Sequence, residues 1–256
     1  MRFFTALALV LLVAGCGRVW NDPYPASESG KNILYSSFSE RPKHLDPAQS
    51  YSENEYAFIA QIYQPPLQYA YLKRPYTLIP QAASTMPTVR YYDKQNRLLP
   101  HDAPPASIAY SVYEIHLRDD LKYQPHPALA RDAAGKPLYM ALTKNDLDGI
   151  YALADFKHAG TRAVTAADYA YQIKRLASPD LYSPIFGVMA QYIVGLKQYA
   201  QTLREARKKQ PHGWLNLNDY PLPGVQAVDA HTYRIRIRGK YPQFGSWTWP
   251  RIWWCR

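Results

Sequence analysis

The 256-residue sequence contains only two cysteines, Cys16 and Cys255. Two thiols cannot form the disulfide network that stabilises many small secreted proteins, so a packed core must supply the stability. The chain also lacks an uninterrupted apolar run of about 20 residues, the length that a bilayer-spanning helix requires. Hydrophobic residues make up 47% of the chain and charged residues 20%, a composition that favours a globular body of one or two domains.

The usual catalytic motifs are missing as well. The sequence has no GxSxG, Walker A, GxGxxG or HExxH motif, and its seven histidines are scattered without metal-ligand spacing. The adjacent Asp119 and Asp120 favour an exposed acidic pair over two catalytic carboxylates. Asp146 and Asp148 resemble a fragment of a calcium loop, but the other oxygen ligands are absent at the needed spacing. We therefore expect no enzymatic activity, no metal and no cofactor.

Positive charge exceeds negative charge, with 30 Lys and Arg against 20 Asp and Glu, which gives a net charge of +10. Such a balance suits nucleic acid or an anionic membrane surface. The basic residues are spread along the chain, however. The densest group is typical of the solvated end of a helix and comprises Arg204, Arg207, Lys208 and Lys209. We therefore expect no nucleic-acid partner.

The amino terminus has the layout of a secretory signal. Arg2 is followed by the apolar stretch 3–14, which runs out into small residues. The sequence VAGC that ends at Cys16 resembles the bacterial lipobox, in which cleavage before the cysteine is followed by lipidation of its thiol. We predict a lipoprotein signal peptide over 1–15 and, over 16–31, a lipidated Cys16 with a flexible tether. The alternative is an ordinary signal peptide with an incidental cysteine.

The fold is expected to begin near Asn32, with a short apolar strand over 33–38. A helix is predicted from Ser52, which stands three residues before Glu55 in the pattern of a capping box, and Pro65 ends it. Its predicted apolar face comprises Tyr56, Ile59, Ala60, Ile62 and Tyr63. This helix is therefore expected to pack by one side.

Two segments, 113–117 and 233–237, alternate apolar and polar residues, as strands buried on one face do. His116 falls on the polar side of the first strand, which indicates a solvated histidine rather than a catalytic one. A second helix is predicted from Thr165, with Asp168 completing its cap.

In that second helix Gln172, Lys174 and Arg175 are predicted to face away from the core. Apolar residues at helical intervals predict a further helix over 185–203, although each of its two internal glycines costs about 1 kcal/mol relative to alanine. Prolines and glycines over 124–160 indicate a long excursion with little regular structure. The mixture of strands and helices favours an α/β or α+β fold.

Three segments in order resemble one known family. They are FSERPKHLDPAQSYSENEYAFIAQIYQPPLQY, YEIHLRDDLKY and RAVTAADYAYQIKRLASPDLYSPIFG. Together they are similar to the amino-terminal part of family 5 solute-binding proteins, the extracytoplasmic peptide and oligopeptide receptors of ABC importers. The resemblance runs over residues 32–244. It implies an α/β fold of the periplasmic binding protein type II kind, with two lobes that close over the ligand by a hinge.

The resemblance also implies a function: capture of peptides or oligopeptides and their delivery to a membrane permease driven by ATPase subunits, without any chemistry. It puts Tyr51, Ser52 and Glu53 near the ligand, because they follow the LDP segment that leads to the cleft. A helix start at Ser52 offers free N–H groups to a peptide, and Tyr51 offers a ring and a hydroxyl. Local packing of Tyr51 and simple capping by Ser52 are the alternative.

The chain departs from the family in two places. The insert between Tyr123 and Arg162 is longer than the family's usual link. After KYPQF the resemblance stops, and residues 245–256 carry four of the six tryptophans without alternation or helical period. We expect 32–244 to be the amino-terminal part of a solute-binding domain whose second lobe is missing, followed by an aberrant tail from a truncation or frameshift. An aromatic platform is the alternative.

Taken together, these patterns predict a periplasmic protein anchored to a membrane by the lipidated Cys16. Its predicted partners are a peptide ligand, the permease and ATPase subunits of an ABC importer, and the membrane itself. One alternative is a lipid-tethered envelope hydrolase that depends on residues such as Asp119 or His116. The other is a structural lipoprotein without a ligand.

Overall fold

The computed structural model describes residues 24–241, which belong to two compact units that divide after Ser39. The predicted signal peptide, the predicted lipid-attachment residue Cys16 and the predicted tail over 245–256 lie outside the described residues. The proposed domain boundaries at the two ends of the chain therefore stay predictions.

The described part of the first unit, residues 24–39, contains one 3-10 turn, Ala26–Glu28. The strand predicted over 33–38 is not formed, and the backbone there has no regular structure. Its apolar side chains are exposed, Leu34 to 93%. A strand needs a partner that completes its hydrogen-bond ladder, and the described part of this unit supplies none. The apolar pattern alone was therefore misleading.

The second unit is built on a five-stranded sheet. Its strands are β3 (Thr88–Tyr92), β4 (Leu98–Leu99), β5 (Tyr110–His116), β6 (Val225–Ala227) and β7 (Thr232–Arg238). They lie in the order β4-β3-β5-β7-β6, and every neighbouring pair is antiparallel. The two central strands, β5 and β7, are the ones that the alternating pattern predicted. A separate antiparallel pair consists of β1 (Leu67–Tyr69) and β2 (Leu78–Pro80).

The helices of this unit, among the described residues, are α1 (Glu53–Ile62), α2 (Ala166–Arg175), α3 (Phe186–Tyr192) and α4 (Leu196–Lys209). Capping boxes at Ser52 and Thr165 begin α1 and α2, as the sequence predicted. The mixed helix and sheet architecture is confirmed. Within the described part of the chain, none of the helices is long and apolar enough to cross a bilayer.

The single helix predicted over 185–203 is divided into α3 and α4. Gly195 adopts a left-handed φ of 82° immediately before α4, a conformation that side chains other than glycine rarely take. The residues just before it pair with the sheet instead: Ile193 forms an isolated bridge with Ile237, and Val194 N–H donates to the carbonyl of Arg236 at 3.0 Å. The break therefore lets this segment act as a short partner of β7.

The core lies between the helices and one face of the sheet. Its largest fully buried side chains are Leu67, Ile115, Tyr169, Ile173, Ile193, Leu196, Leu203, Tyr233 and Ile235. The ring of Tyr169 on α2 stacks on that of Tyr233 on β7, with centroids 5.5 Å apart. The buried face of α2 thus contacts the buried face of β7 through this pair of stacked rings.

Two predicted helix faces are wrong in part. On α1 only Ile59 and the acid Glu55 are buried, while Tyr56 of the predicted apolar face is 41% exposed. On α2 Gln172 was predicted to face solvent but is only 4% exposed, and Arg175 forms an ion pair with Asp46. The buried Glu55 carboxylate accepts hydrogen bonds from the loop before α1, and the buried Gln172 amide oxygen accepts one from Arg175. Periodicity does not encode such partners.

The insert over 124–160 has little regular structure, as predicted. Its short 3-10 turns are Pro127–Leu129, Asn145–Leu147 and Leu153–Asp155. The two ends of the insert are tied together by reciprocal backbone bonds: His126 N–H donates to Gly160 O at 2.9 Å, and Gly160 N–H donates to His126 O at 3.1 Å. The two ends of the insert therefore lie next to each other.

Candidate ligand-binding site

The loop before α1 folds around the carboxylate of Glu55, whose residue is only 4% exposed. The carboxylate accepts five hydrogen bonds of 2.9 to 3.3 Å, from the backbone N–H groups of Lys43, His44, Tyr51 and Ser52 and from the hydroxyl of Ser50. The capping-box pattern predicted only the bond to Ser52. One buried acid thus fixes both ends of a loop of about ten residues.

The electrostatics of this acid follow from two opposing effects. Burial by itself raises the pKa of a carboxyl group, because the charged form loses its hydration. The hydrogen bonds from His44, Ser52, Tyr51 and Ser50 outweigh burial and lower the pKa of Glu55 from 4.5 to about 2. Glu55 is therefore ionised at neutral pH and holds the loop in its charged form.

An ion pair attaches the same loop to α2. Arg175 donates from Nη1 to Oδ1 of Asp46 at 3.0 Å and from Nη2 to Oδ2 at 2.6 Å, the two-pronged geometry of a strong arginine–carboxylate contact. Nη1 also donates to Oε1 of Gln172 at 2.9 Å. The aspartate further accepts from the N–H of Ala48 at 3.0 Å. The loop is therefore held at two places, by Glu55 and by α2.

A cavity of about 380 Å³ opens beside this loop. Its lining residues are Pro47, Ser50, Tyr51, Ser52, Glu53, Tyr56, Ile59 and Ile185. The three residues predicted to bind ligand, Tyr51, Ser52 and Glu53, thus lie side by side on its wall, and all three are exposed. Ile185, which directly precedes α3, completes the lining. The volume falls within the roughly 300–1,000 Å³ typical of ligand pockets.

The groups on this wall can recognise an extended peptide. The first hydrogen bond of α1 runs from Tyr56 N–H to Ser52 O, so the helical ladder does not use the amides of Glu53 and Asn54, and amides at a helix start can donate to a ligand. Tyr51, which is 65% exposed, offers a ring face and a hydroxyl. The carboxylate of Glu53 adds a negative charge that attracts an amine. The wall therefore combines hydrogen-bonding, aromatic and charged groups.

The residues of the hydrolase alternative lie elsewhere. His116 is engaged by its neighbours on the sheet, with Nε2 3.3 Å from Glu114 Oε1 and Nδ1 3.2 Å from Thr232 Oγ1. Asp119 and Asp120 are exposed, and Asp120 forms an ion pair with Arg118. No hydrogen bond joins His116 to Asp119 in the described structure, and residues 24–241 contain no group of His, Cys, Asp and Glu placed to hold a metal ion.

Four residues that shape the site were missed or only partly predicted from the sequence. The capping-box pattern pointed to Glu55, but it predicts only one of the five hydrogen bonds that the Glu55 carboxylate accepts. Asp46 and Arg175 lie in two of the segments that carry the family resemblance, yet their pairing across 129 positions has no local pattern. Ile185 was predicted only as a helical core residue. Long-range contacts of this kind emerge when the chain folds.

Comparison with protein families and with curated proteins gave no match. Comparison with solved structures gave several. The chain is similar to a periplasmic oligopeptide-binding protein of an ABC transporter from Borrelia burgdorferi, with 14% identity and a TM-score of 0.49 over 83% of this chain and 29% of the other. It is also similar to the murein tripeptide-binding protein of Escherichia coli, with 20% identity and a TM-score of 0.43 over 81% and 27%.

A third similar structure is OppA of Listeria monocytogenes bound to peptide, with 15% identity and a TM-score of 0.44 over 83% of this chain and 28% of the other. These structures are of the class of protein that the sequence segments resemble. The chain spans less than a third of the length of each of them. What they bind is a property of those proteins, and the function of this chain rests on its own residues.

Proposed function

We propose that this chain is the amino-terminal portion of an extracytoplasmic solute-binding lipoprotein that captures peptides or oligopeptides for an ABC importer. The observation that carries the proposal is the grouping of Tyr51, Ser52 and Glu53 on one wall of a cavity, on a loop that Glu55 holds in place. That loop belongs to the longest segment that resembles the peptide-binding family. Sequence motif and geometry therefore support the same use of these residues.

In the proposed complex, backbone groups of the peptide provide affinity that is independent of its sequence. The amides of Glu53 and Asn54 donate to a peptide carbonyl, which the positive end of the α1 dipole favours. The ring of Tyr51 covers an apolar or cationic side chain, and the Glu53 carboxylate pairs with an amino group. The substrate class follows from this combination: short peptides of varied sequence.

We expect the cavity of this chain to cover one side of a bound peptide. Good ligand sites bury about 70–90% of the ligand surface, and the family's second lobe supplies the opposite wall by closing over the peptide. We propose that this portion alone binds peptides weakly, with a dissociation constant on the order of millimolar, equivalent to about 4 kcal/mol. A protein that also carries the second lobe binds more tightly because it excludes water from both sides.

The cellular context is part of the proposal. Lipidation of Cys16 attaches the protein to a membrane, since each buried methylene of an acyl chain contributes about 0.8 kcal/mol. Residues 16–31 serve as the tether, and the binding domain faces the periplasm, where it hands its ligand to the permease and ATPase subunits. The sequence VAGC at the end of the apolar stretch supports this placement.

The test is a titration of the protein with a pool of tri- to pentapeptides, followed by NMR or calorimetry. We expect weak saturable binding that Tyr51→Ala and Glu53→Gln each reduce at least about threefold, equivalent to 0.65 kcal/mol. Tyr71→Ala is the matched control, because Tyr71 is 89% exposed and does not line the cavity. Binding of another solute together with no response to peptides would overturn the peptide assignment.

A further inference from the structure

The outward face of the sheet carries arginines in register. Arg90 on β3, Val112 on β5 and Arg236 on β7 are consecutive Cα partners across the three strands. Neighbouring strands lie about 4.8 Å apart, so the two arginine Cα atoms flank Val112 at a separation of about 10 Å. Because side chains alternate along a strand, this row points away from the buried Ile235 and Ile237. Two guanidinium groups thus border a short apolar floor.

The next row of the same face is electrically balanced. Glu114 on β5 is the Cα partner of Arg234 on β7, and the two form an ion pair with Nε 2.5 Å from Oε2. The hydrogen bond from Arg234 is the main reason that the pKa of Glu114 is lowered. Neither Arg90 nor Arg236 forms an ion pair with an acidic residue among residues 24–241. Glu114 also attracts Arg90, so three arginines share one carboxylate and this part of the face keeps a net charge of +2.

Arg236 is held in place by neutral groups. Its Nη2 donates to Oδ1 of Asn96, and its guanidinium carbon lies 4.1 Å from the ring centroid of Tyr110 and 5.9 Å from that of Tyr92. Its Nε is buried and has no hydrogen-bond partner in the described structure. A guanidinium held in this way loses little entropy when it binds an anion.

Arg90, Val112 and Arg236, together with the Glu114–Arg234 pair, line a groove of about 270 Å³. We propose that this groove is a second binding site, which holds the phosphate group of a small soluble phosphate monoester. A phosphate monoester carries a charge of about −1.5 to −2 at neutral pH, which matches the net charge of +2 on the charged side chains that line the groove. Guanidinium groups fit phosphate oxygens by paired hydrogen bonds. The groove is smaller than the roughly 300–1,000 Å³ of pockets for drug-sized ligands, so the organic part of the ligand is small.

The proposal is tested by calorimetric titration of the whole chain with inorganic phosphate and with phenyl phosphate at low salt. We expect saturable binding of both, and a loss of affinity of at least about tenfold in Arg90→Gln and in Arg236→Gln. Arg204→Gln removes the same charge from an exposed position on α4 and serves as the matched control. We expect its affinity for phosphate to equal that of the unaltered protein.

Two results overturn the proposal. An equal loss in all three variants would show that general positive charge, rather than this groove, attracts the anion. Binding to phosphatidylglycerol vesicles without any binding of the soluble phosphates would assign the face to a lipid surface instead. Arg90 is exposed on the surface of β3, so Arg90→Gln remains informative if Arg236→Gln fails to fold, and circular dichroism of each variant reports folding.

Discussion

Asp46 and Arg175 stand 129 positions apart in the sequence and meet in a two-pronged ion pair, with oxygen–nitrogen distances of 3.0 and 2.6 Å. Asp46 lies in the loop that leads to Tyr51, and Arg175 is the last residue of α2. The pair therefore connects the wall of the candidate site to a helix packed on the sheet. Both side chains are about three-quarters shielded from solvent, at 24% and 28% exposure, which makes the contact stronger than a surface ion pair.

The first prediction concerns this pair. Asp46→Asn should lower the free energy of unfolding by about 1–2 kcal/mol, because it removes a charge-assisted, partly shielded contact. Urea denaturation followed by circular dichroism measures the change. Asp120→Asn is the matched control, since its pair with Arg118 is exposed and should cost less than about 0.5 kcal/mol. Equal effects of the two substitutions would contradict the structural role of Asp46.

The second prediction concerns the pH dependence that Glu55 confers. Its pKa is about 2 in the folded protein and 4.5 without these contacts, so the folded state binds fewer protons between these values. The stabilisation is fully present above pH 4.5 and is lost as the pH falls from 4.5 through 2. Glu55→Gln should remove this part of the acid dependence and, at neutral pH, lower the free energy of unfolding by about 2–3 kcal/mol.

The measurement is the free energy of unfolding between pH 7 and pH 2 for the unaltered protein and the variant. Glu53→Gln is the control, because Glu53 is two positions away on the same helix but exposed. We expect its acid dependence to follow that of the unaltered protein. If the free energy of unfolding of Glu55→Gln falls between pH 4.5 and pH 2 as much as that of the unaltered protein, other carboxyl groups control stability in this range.

The third prediction compares two glycines. Gly195→Ala should destabilise the protein by about 1–2 kcal/mol, because a left-handed backbone is unfavourable for alanine. In addition, the new Cβ would lie 3.1 Å from Cδ of Pro223. Gly187→Ala on α3 has no atom within 4 Å of its Cβ and should stabilise the helix by up to about 1 kcal/mol. Thermal unfolding of the two variants should therefore shift in opposite directions, and a common direction would argue against the break at Gly195.

The fourth prediction concerns Cys16. Cys16→Ser should abolish incorporation of a labelled fatty acid and release the protein from the membrane fraction, because the hydroxyl cannot replace the thiol as lipid acceptor. Metabolic labelling and fractionation of the expressing cells measure both effects. Cys255→Ser is the control and should remain labelled. Fatty-acid incorporation that persists without Cys16 would contradict the lipobox interpretation.

Local patterns predicted much of the second unit. The starts of α1 and α2 followed from capping boxes, because those contacts join residues three positions apart. The central strands followed from alternation, which reflects burial of one face. The same reasoning failed over 33–38, where an apolar run lacks a partner strand, and at Gly195, where the sheet takes the segment that periodicity assigned to a helix.

Local sequence patterns were enough to identify the class of protein that this chain resembles, to place the loop from Tyr51 to Glu53, and to predict the alternation that puts arginines on one side of β7. The way in which that loop is held, and the residues that lie opposite it, became visible in the folded protein. Glu55 collects donors from both ends of the loop, Asp46 meets Arg175, and Arg90 comes into register with Arg236. The bonds of Glu55 span up to twelve positions, and the capping box encodes only the one to Ser52. Asp46 and Arg175, and likewise Arg90 and Arg236, are more than a hundred positions apart, and no local pattern encodes these relationships because the partners meet only when the sheet and helices pack together.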